Sequence, residues 1–288
     1  MSKFPICLLA LGACTSWASA ESLFGLTRDQ QVVSFDSSAP QTLLSARFVS
    51  GLQRGEQLLG FDSRPADGRF YSVSSSGRIY TIDPGTGAAT FVSAIGVALN
   101  GTSFGFDFNP VPDRLRLVSD TRQNLRINVD TGATIEDGML AYAPGDPFAG
   151  QAPAVSAVAY TNSVPGATST ALFGIDAVRN NLVLINPPNG GVVNTIGALG
   201  VNATGLNGFD ISGGSGLAFA ALQLGSGPGS SLYTINLSTG AATALGIVGS
   251  GGTAIELVGL AAAPVPEPGT MLALGAGIAV LLRRRKRA

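Results

Sequence analysis

Three copies of the tripeptide Gly-Phe-Asp are the part of this sequence best suited to chemistry. They end at Asp62, Asp107 and Asp210, and a segment with strand-like alternation follows each copy. In a repeated fold these carboxylates could surround a common axis and bind a cation such as Ca²⁺, which takes oxygen ligands. They could also serve a glycan hydrolase or lyase. The competing interpretation, which the repetition itself favours, is that each Asp caps a turn within its own repeat.

A charged segment between residues 107 and 130 is the second candidate site. Strand alternation places Arg114 and Arg116 on one face of a predicted strand, with leucines on the other face. Arg126 falls on the matching face of the next strand, so the three guanidinium groups would gather together. They could hold carboxylate or sulfate groups of an acidic polysaccharide. The alternative that we favour is a set of ion pairs between repeats, with Asp113, Asp120 and Asp130 as the partners.

The composition excludes several kinds of chemistry. The sequence contains no histidine, and its only cysteines are Cys7 and Cys14. Histidine-based triads, histidine-ligated metals and cysteine zinc sites are therefore excluded from the body. Residues 21–264 hold 11 arginines and no lysine against 17 acidic residues, a net charge of −6. This balance argues against a nucleic-acid partner.

The body of the chain is a repeat of short strands. Residues 79–90 and 232–243 share one pattern, in which a strand, a polar turn, Thr-Gly and a second strand follow one another. Weaker copies follow Leu125 and Leu182. The turn glycines are Gly87, Gly132, Gly190 and Gly240, spaced by 45, 58 and 50 residues. This period is typical of one four-stranded propeller blade.

The repeat predicts an all-β fold, a β-propeller of five four-stranded blades. Three strands precede residue 50, four groups of four follow, and a last strand lies near residues 254–262. We expect this last strand to join the first three, so that the chain ends close the ring and leave no open sheet edge. A six-bladed ring and a β-sandwich are the alternatives, although a sandwich would not explain the repeat.

The N-terminal residues 1–20 are typical of a secretory signal peptide. Lys3 supplies the positive charge, residues 4–13 are mostly apolar, and Ala-Ser-Ala at 18–20 is a cleavage site. The mature chain would then begin at Glu21. The competing interpretation is a lipobox at residues 11–14, which would make Cys14 a lipidated N-terminus.

Residues 265–288 form a tail with three parts. It begins with the tetrapeptide Val265, Pro266, Glu267 and Pro268. The predicted membrane helix follows and includes Met271, Leu272, Leu274, Ile278, Val280, Leu281 and Leu282. A basic cluster ends it and would stay on the cytoplasmic side; its residues are Arg283, Arg284, Arg285, Lys286 and Arg287.

This tail resembles the PEP-CTERM protein-sorting signal of Gram-negative bacteria. The resemblance implies an exosortase that cuts near the motif, in systems that accompany exopolysaccharide production. An ordinary C-terminal membrane anchor is the competing interpretation. Either interpretation places residues 21–264, predicted to be a single propeller domain, outside the inner membrane.

The segment from Gly105 to Gly132 resembles an uncharacterised bacterial family, domain of unknown function 4394. It begins Gly-Phe-Asp-Phe-Asn-Pro and continues through Arg-Leu-Arg-Leu-Val-Ser-Asp to Asp-Thr-Gly. The resemblance extends over about residues 23–262 and implies a propeller-like fold. It implies no activity, because no catalytic residues are carried over.

These observations favour an exported, non-enzymatic propeller that serves as a binding or structural module. It would cross the inner membrane, be anchored there transiently, and reach the cell surface or extracellular matrix. The expected partners are the Sec translocon, signal peptidase, an exosortase and exopolysaccharide, with no cofactor unless Ca²⁺ binds. The alternative is a glycan hydrolase or lyase that uses carboxylates at the channel mouth.

Overall fold

The computed structural model describes residues 20–225, 227 and 229–265. Of the sorting tetrapeptide, only Val265 lies among them. The proposed signal peptide up to residue 19, the proposed membrane helix and the basic cluster all lie outside the described residues.

Strands make up nearly all the regular structure of the described residues. In the first half of the chain they are β1 (Ser22–Thr27), β2 (Gln31–Asp36), β3 (Leu43–Phe48), β4 (Asp62–Ser63), β5 (Phe70–Val73), β6 (Arg78–Ile82), β7 (Ala89–Ala94), β8 (Phe104–Asn109), β9 (Arg114–Ser119), β10 (Asn124–Ile127), β11 (Thr134–Glu136) and β12 (Ala141–Tyr142). In the second half they are β13 (Val155–Tyr160), β14 (Leu172–Asp176), β15 (Asn181–Ile185), β16 (Val192–Ala198), β17 (Ala203–Ile211), β18 (Ala218–Leu224), β19 (Ser230–Ile235), β20 (Ala242–Ile247), β21 (Gly249–Ser250), β22 (Thr253–Ala254) and β23 (Leu257–Ala262). A short 3₁₀ turn spans Pro188–Gly190.

These strands form the five predicted blades. Blade 1 is β23-β1-β2-β3, blade 2 is β4 to β7, blade 3 is β8 to β11, blade 4 is β13 to β16, and blade 5 is β17 to β20. Two small additions were not predicted: β12 pairs in parallel with the outer strand of blade 4, and β21 and β22 form a separate hairpin. The innermost strands β23, β4, β8, β13 and β17 face one another around the axis.

The two ends of the chain close the ring as predicted. Strand β23 pairs antiparallel with β1, with Leu23 opposite Ala262 and Gly25 opposite Leu260. Leu23 and Leu260 are both buried in this sheet. The closure replaces two free edges with one continuous ladder of hydrogen bonds, which removes a template for edge-to-edge aggregation.

The repeated Thr-Gly turn explains how neighbouring blades come into contact. Gly87 has a φ of +79°, and a Cβ there would lie 2.2 Å from the carbonyl oxygen of Phe48 in blade 1. The backbone N–H of Ser50 donates to the Gly87 carbonyl at this junction. Only glycine therefore fits. In blade 4 the equivalent glycine is Gly191, with a φ of +65°, and not Gly190 as the sequence spacing predicted.

Candidate functional site

The three Gly-Phe-Asp copies place their carboxylates together at one end of the axis. Asp62, Asp107 and Asp210 lie on the innermost strands of blades 2, 3 and 5, and each is buried. Carboxylate oxygens from the three residues all lie within 4.8 Å of one another. We call these three residues the axial cluster. The equivalent positions of blades 1 and 4 hold Ala261 and Ala159, so these blades add no carboxylate.

Hydrogen bonds of the axial cluster run to the next blade around the ring. Asp62 Oδ2 accepts from the backbone N–H of Phe108 at 3.1 Å, and Asp210 Oδ2 accepts from that of Ala262 at 2.5 Å. Asp210 Oδ1 also accepts from the N–H of Ile211. A cap on a turn of its own blade does not account for the hydrogen bonds that Asp62 and Asp210 accept from the next blade. These bonds fix the carboxylates to neighbouring strands near the axis.

Asp107 differs from the other two because, among the described residues, neither of its carboxylate oxygens has a hydrogen bond of good geometry, although the backbone N–H groups of Tyr160 and Phe108 lie near them. Arg116 is directly opposite Asp107 in the β8–β9 pairing, yet its guanidinium group binds other residues. Burial raises the pKa of Asp107 well above its ordinary value, the charges of Asp62 and Asp210 raise it further, and the backbone N–H groups of Tyr160 and Phe108 act against this rise. A buried carboxyl group without a partner costs free energy that a bound proton or cation would offset.

The same forces act on the other two members of the axial cluster. Burial raises the pKa of Asp62 well above its ordinary value, with the charge of Asp210 as the next cause. Burial raises the pKa of Asp210 to about 6, although the N–H groups of Ala262 and Ile211 act against this rise. The cluster is thus a site that disfavours three uncompensated negative charges.

The middle of the axis is filled by closely packed backbone. A Cβ on Gly60 would lie 2.5 Å from the Cβ of Phe106 in the next blade, and one on Gly208 would lie 2.7 Å from the backbone nitrogen of Leu260. The remaining cavity there is about 10 Å³, which is too small for a sugar ring. A glycan cannot reach the axial cluster from the mouth side, and each of its carboxylates is at most 4% exposed, so the geometry gives no support to a hydrolase at these residues.

The opposite end of the axis opens into a cavity of about 190 Å³, which we call the mouth pocket. Its wall combines apolar and polar side chains near the starts of the innermost strands; they include Gln30, Gln57, Leu58, Phe104, Ser156 and Asn207. Sequence reasoning did not find this pocket, because its residues share no motif and come from separate blades.

Asn207 is the notable side chain of the mouth pocket. It is 3% exposed, and its amide nitrogen donates to Ser156 Oγ at 2.9 Å and to the carbonyl oxygen of Thr204 at 2.6 Å. The carbonyl of Thr204 can only accept, so it fixes which side of the amide carries the nitrogen. Asn207 Oδ1 has no partner. An irregularity in the β17–β18 pairing between Ala203 and Asn207 shapes this wall, as bulges beside binding sites often do.

The three candidate arginines occupy blade 3, and their partners differ from the predicted ones. Arg116 and Arg126 are directly opposite on β9 and β10. Arg116 Nη1 and Arg126 Nη2 bind Asp137, at 2.7 Å and 3.0 Å. Arg114 donates only to the backbone carbonyls of Pro112 and Asp113. Because Arg116 is buried and Arg126 is held by Asp137, these side chains do not form an open anion site.

Asp137 was missing from the sequence prediction because it lies in the connection after β11, outside the alternating strands. Burial alone would raise its pKa, but hydrogen bonds from Arg126 and Arg116 outweigh burial and leave the pKa lowered. Arg116 also donates to Asn124 and to Asn189, at 2.8 Å and 2.7 Å. This network joins blade 3 to the turn before the outer strand of blade 4.

The acids predicted as partners have other roles. Asp113 and Asp130 both bind Arg64 of blade 2, through contacts of 2.5–2.9 Å. Asp120 accepts from the backbone and hydroxyl of Thr102. Ion pairs between blades are therefore present, as the favoured interpretation predicted. The arginine that pairs with Asp113 and Asp130 is Arg64, however, and not one of the three candidate arginines. Hydrogen bonds from Arg64 lower the pKa of Asp130, against the opposing effect of burial.

Fold and sorting signal together define the class of this protein. It is a five-bladed β-propeller that carries a PEP-CTERM protein-sorting motif at residues 264–287. This motif marks an exported protein that an exosortase processes. A family model described as domain of unknown function (DUF4394) matches residues 31–261. The chain therefore belongs to the DUF4394 family.

Solved structures resemble the chain in fold. A protein of unknown function from Bacteroides thetaiotaomicron is 15% identical with a TM-score of 0.50; the match covers 79% of this chain but only 58% of that one. A chain of a nidogen/laminin complex is 11% identical, with a TM-score of 0.49 and coverage of 85% and 98%. Virginiamycin B lyase from Staphylococcus aureus is 12% identical, with a TM-score of 0.43 and coverage of 82% and 78%.

No curated protein matches the sequence significantly. Among the residues that the structure describes, none belongs to a helix long and apolar enough to cross a membrane.

Proposed function

We propose that this protein is a non-catalytic binding module of the cell surface or extracellular matrix, and that its mouth pocket binds a neutral sugar unit of exopolysaccharide. The buried, unpartnered Oδ1 of Asn207, a residue of the pocket wall, carries the proposal. A buried acceptor without a donor costs about 1–3 kcal/mol. Because this oxygen is buried, the side chains around it must move slightly before a ligand hydroxyl can donate to it. Such a bond would recover that free energy, so the site favours a ligand rich in hydroxyl groups.

The rest of the pocket suits the same ligand. A sugar presents hydroxyl groups at its edge and C–H groups on its ring faces. Gln30 and Ser156 provide polar contacts, while Leu58 and Phe104 provide apolar surface. The volume of about 190 Å³ suits one sugar residue and leaves the remainder of a chain outside.

The charge distribution favours a neutral sugar over an acidic one. The propeller is acidic overall, with the net charge of −6 described above. The cation at the mouth pocket, Arg28, already pairs with Glu256 at 3.1 Å. Of the blade 3 arginines that were candidates for an acidic polysaccharide, Arg116 and Arg126 bind Asp137 and Arg114 donates to backbone carbonyls. A uronate or sulfate group would therefore compete with an existing partner at each of these guanidinium groups.

A glycan array tests the proposal. The purified propeller, residues 21–264, contains every strand described and would be applied to neutral and uronate-containing oligosaccharides and to exopolysaccharide from the same bacterium. We expect binding to neutral glycans and at least a tenfold loss in Asn207→Ala. Gln57→Trp, an exposed change at the rim, should block the pocket without disturbing the core and should also abolish binding.

Asn202→Ala is the matched control, because Asn202 is exposed and lies outside the mouth pocket. Thermal unfolding of each variant separates lost binding from lost folding. The proposal is wrong if no glycan binds, or if Asn207→Ala and Gln57→Trp bind as tightly as the unaltered protein.

A further inference from the structure

We propose that the axial cluster, Asp62, Asp107 and Asp210, is a binding site for one hard divalent cation, with Ca²⁺ as the favoured ion. This site lies at the end of the axis opposite the mouth pocket and does not depend on the sugar-binding proposal. Two independent observations support it, namely the mutual approach of three carboxylates and the lack, among the described residues, of a well-formed hydrogen bond to either buried oxygen of Asp107.

The spacing of the oxygens fits a Ca²⁺ ion. Calcium–oxygen distances are about 2.3–2.6 Å, so two oxygens on opposite sides of one ion are separated by about 4.6–5.2 Å. The three carboxylates of the axial cluster contribute oxygens that all lie within 4.8 Å of one another. One ion at their centre can therefore contact all three without a large movement of the innermost strands.

No positively charged side chain among the described residues balances the charge of the axial cluster, so a bound cation is the natural counterion. Among the described residues, no arginine or lysine forms an ion pair with any of the three carboxylates. The closest candidate by register, Arg116, binds Asp137 instead. Each carboxylate is at most 4% exposed, so water gives little screening of their mutual repulsion.

The existing hydrogen bonds leave room for coordination. Asp107 offers two oxygens that have no well-formed hydrogen bond among the described residues. Asp62 Oδ2 and Asp210 Oδ2 each accept one backbone N–H, and a carboxylate oxygen retains a second lone pair for a metal. These N–H groups belong to the next blade, so the carboxylates are held by rigid strands. Such an ion would cross-link blades 2, 3 and 5 at the axis.

The repeat explains why the site has three acids and not one. Asp stands at the same position of the innermost strand in three blades, and this brings the three carboxylates together. A turn cap that every blade needed would require Asp in each blade, whereas blades 1 and 4 carry Ala261 and Ala159 there without losing the strand. Three carboxylates are enough to neutralise a divalent ion, and more would add repulsion.

Metal titration tests the proposal. The propeller is stripped with a chelator, and calorimetry with CaCl₂ should show one ion bound per chain. Saturating Ca²⁺ should raise the midpoint of thermal unfolding by about 5 °C or more, as expected when an ion binds the folded state at about 100 times its Kd. MgCl₂ should bind more weakly, since Mg²⁺ demands shorter bonds and strict octahedral geometry.

Two variants and a control make the test decisive. Asp107→Asn should lose Ca²⁺ binding by at least tenfold and should unfold at a higher temperature than the stripped unaltered protein, because it removes an uncompensated charge. Asp62→Asn serves as the second variant if the first fails to fold. Asp29→Asn, an exposed change, should behave as the unaltered protein.

The outcomes separate a metal site from a proton-sharing cluster. Loss of one-to-one Ca²⁺ binding in Asp107→Asn, with binding kept in Asp29→Asn, supports the site. No binding of Ca²⁺ or Mg²⁺ at millimolar concentration would show that the carboxyls are held neutral by protons alone, and the proposal is then wrong. Equal binding in Asp107→Asn would also overturn it.

Discussion

Replacement of Arg116 by Ala is expected to destabilise the propeller strongly. The Arg116 side chain is 2% exposed, its partner Asp137 is 6% exposed, and the pair is 2.7 Å apart. Removal of one member of a buried ion pair costs about 3–5 kcal/mol, because the other charge stays buried. Arg126 keeps its own bond to Asp137, which places the expected cost near the lower end of that range.

The assay is urea unfolding with thermal unfolding as a second measure. For a domain of this size a loss of about 3 kcal/mol lowers the melting temperature by about 6–12 °C. Arg114→Ala is the matched control, since Arg114 is on the same strand and face but contacts only backbone carbonyls. Its effect should stay within about 0.5 kcal/mol. A loss below about 1 kcal/mol for Arg116→Ala, or equal losses for both variants, would refute the reasoning.

Two further predictions concern packing and pH. Gly60→Ala would place a Cβ 2.5 Å from that of Phe106 and should cost about 1–3 kcal/mol in urea unfolding, whereas Gly96→Ala, with nothing within 4 Å, should change little. The pKa values of Asp130 and Asp137 are lowered in the folded state, so their contribution to stability is present above the unfolded pKa of about 4 and is lost below it. The raised pKa values of the axial cluster act in the opposite direction above about pH 4. The free energy of unfolding should therefore fall below about pH 4, and less steeply in Asp137→Asn; an equal slope would contradict the assignment.

The architecture could be predicted from the sequence because the blades repeat the same local signals. The Thr-Gly turn and the Gly-Phe-Asp unit each mark one place in a blade, so their spacing predicts the blade count and the closing strand. The shift from Gly190 to Gly191 arose because two adjacent glycines fit the pattern, and only the conformation of the backbone distinguishes them. Strand β12 was missed because it is too short to show alternation.

The sequence predicted the candidate sites only in part. Repetition placed the three aspartates in equivalent positions, but the separation of their oxygens depends on how closely the innermost strands approach. The partners of Arg116 and the role of Arg64 depend on packing between blades, which spacing along one blade does not encode. The mouth pocket lies beside an irregularity in β17, and no sequence motif predicts it.

Closure of the ring by the two chain ends also determines where the sorting tail leaves the propeller. Strand β23 ends beside the start of β1, where the N–H of Ala263 donates to the carbonyl of Ser22, and the chain then continues to Val265. This is the pole of the propeller that carries the axial cluster. Any tether through the sorting tail therefore attaches at that pole, opposite the mouth pocket.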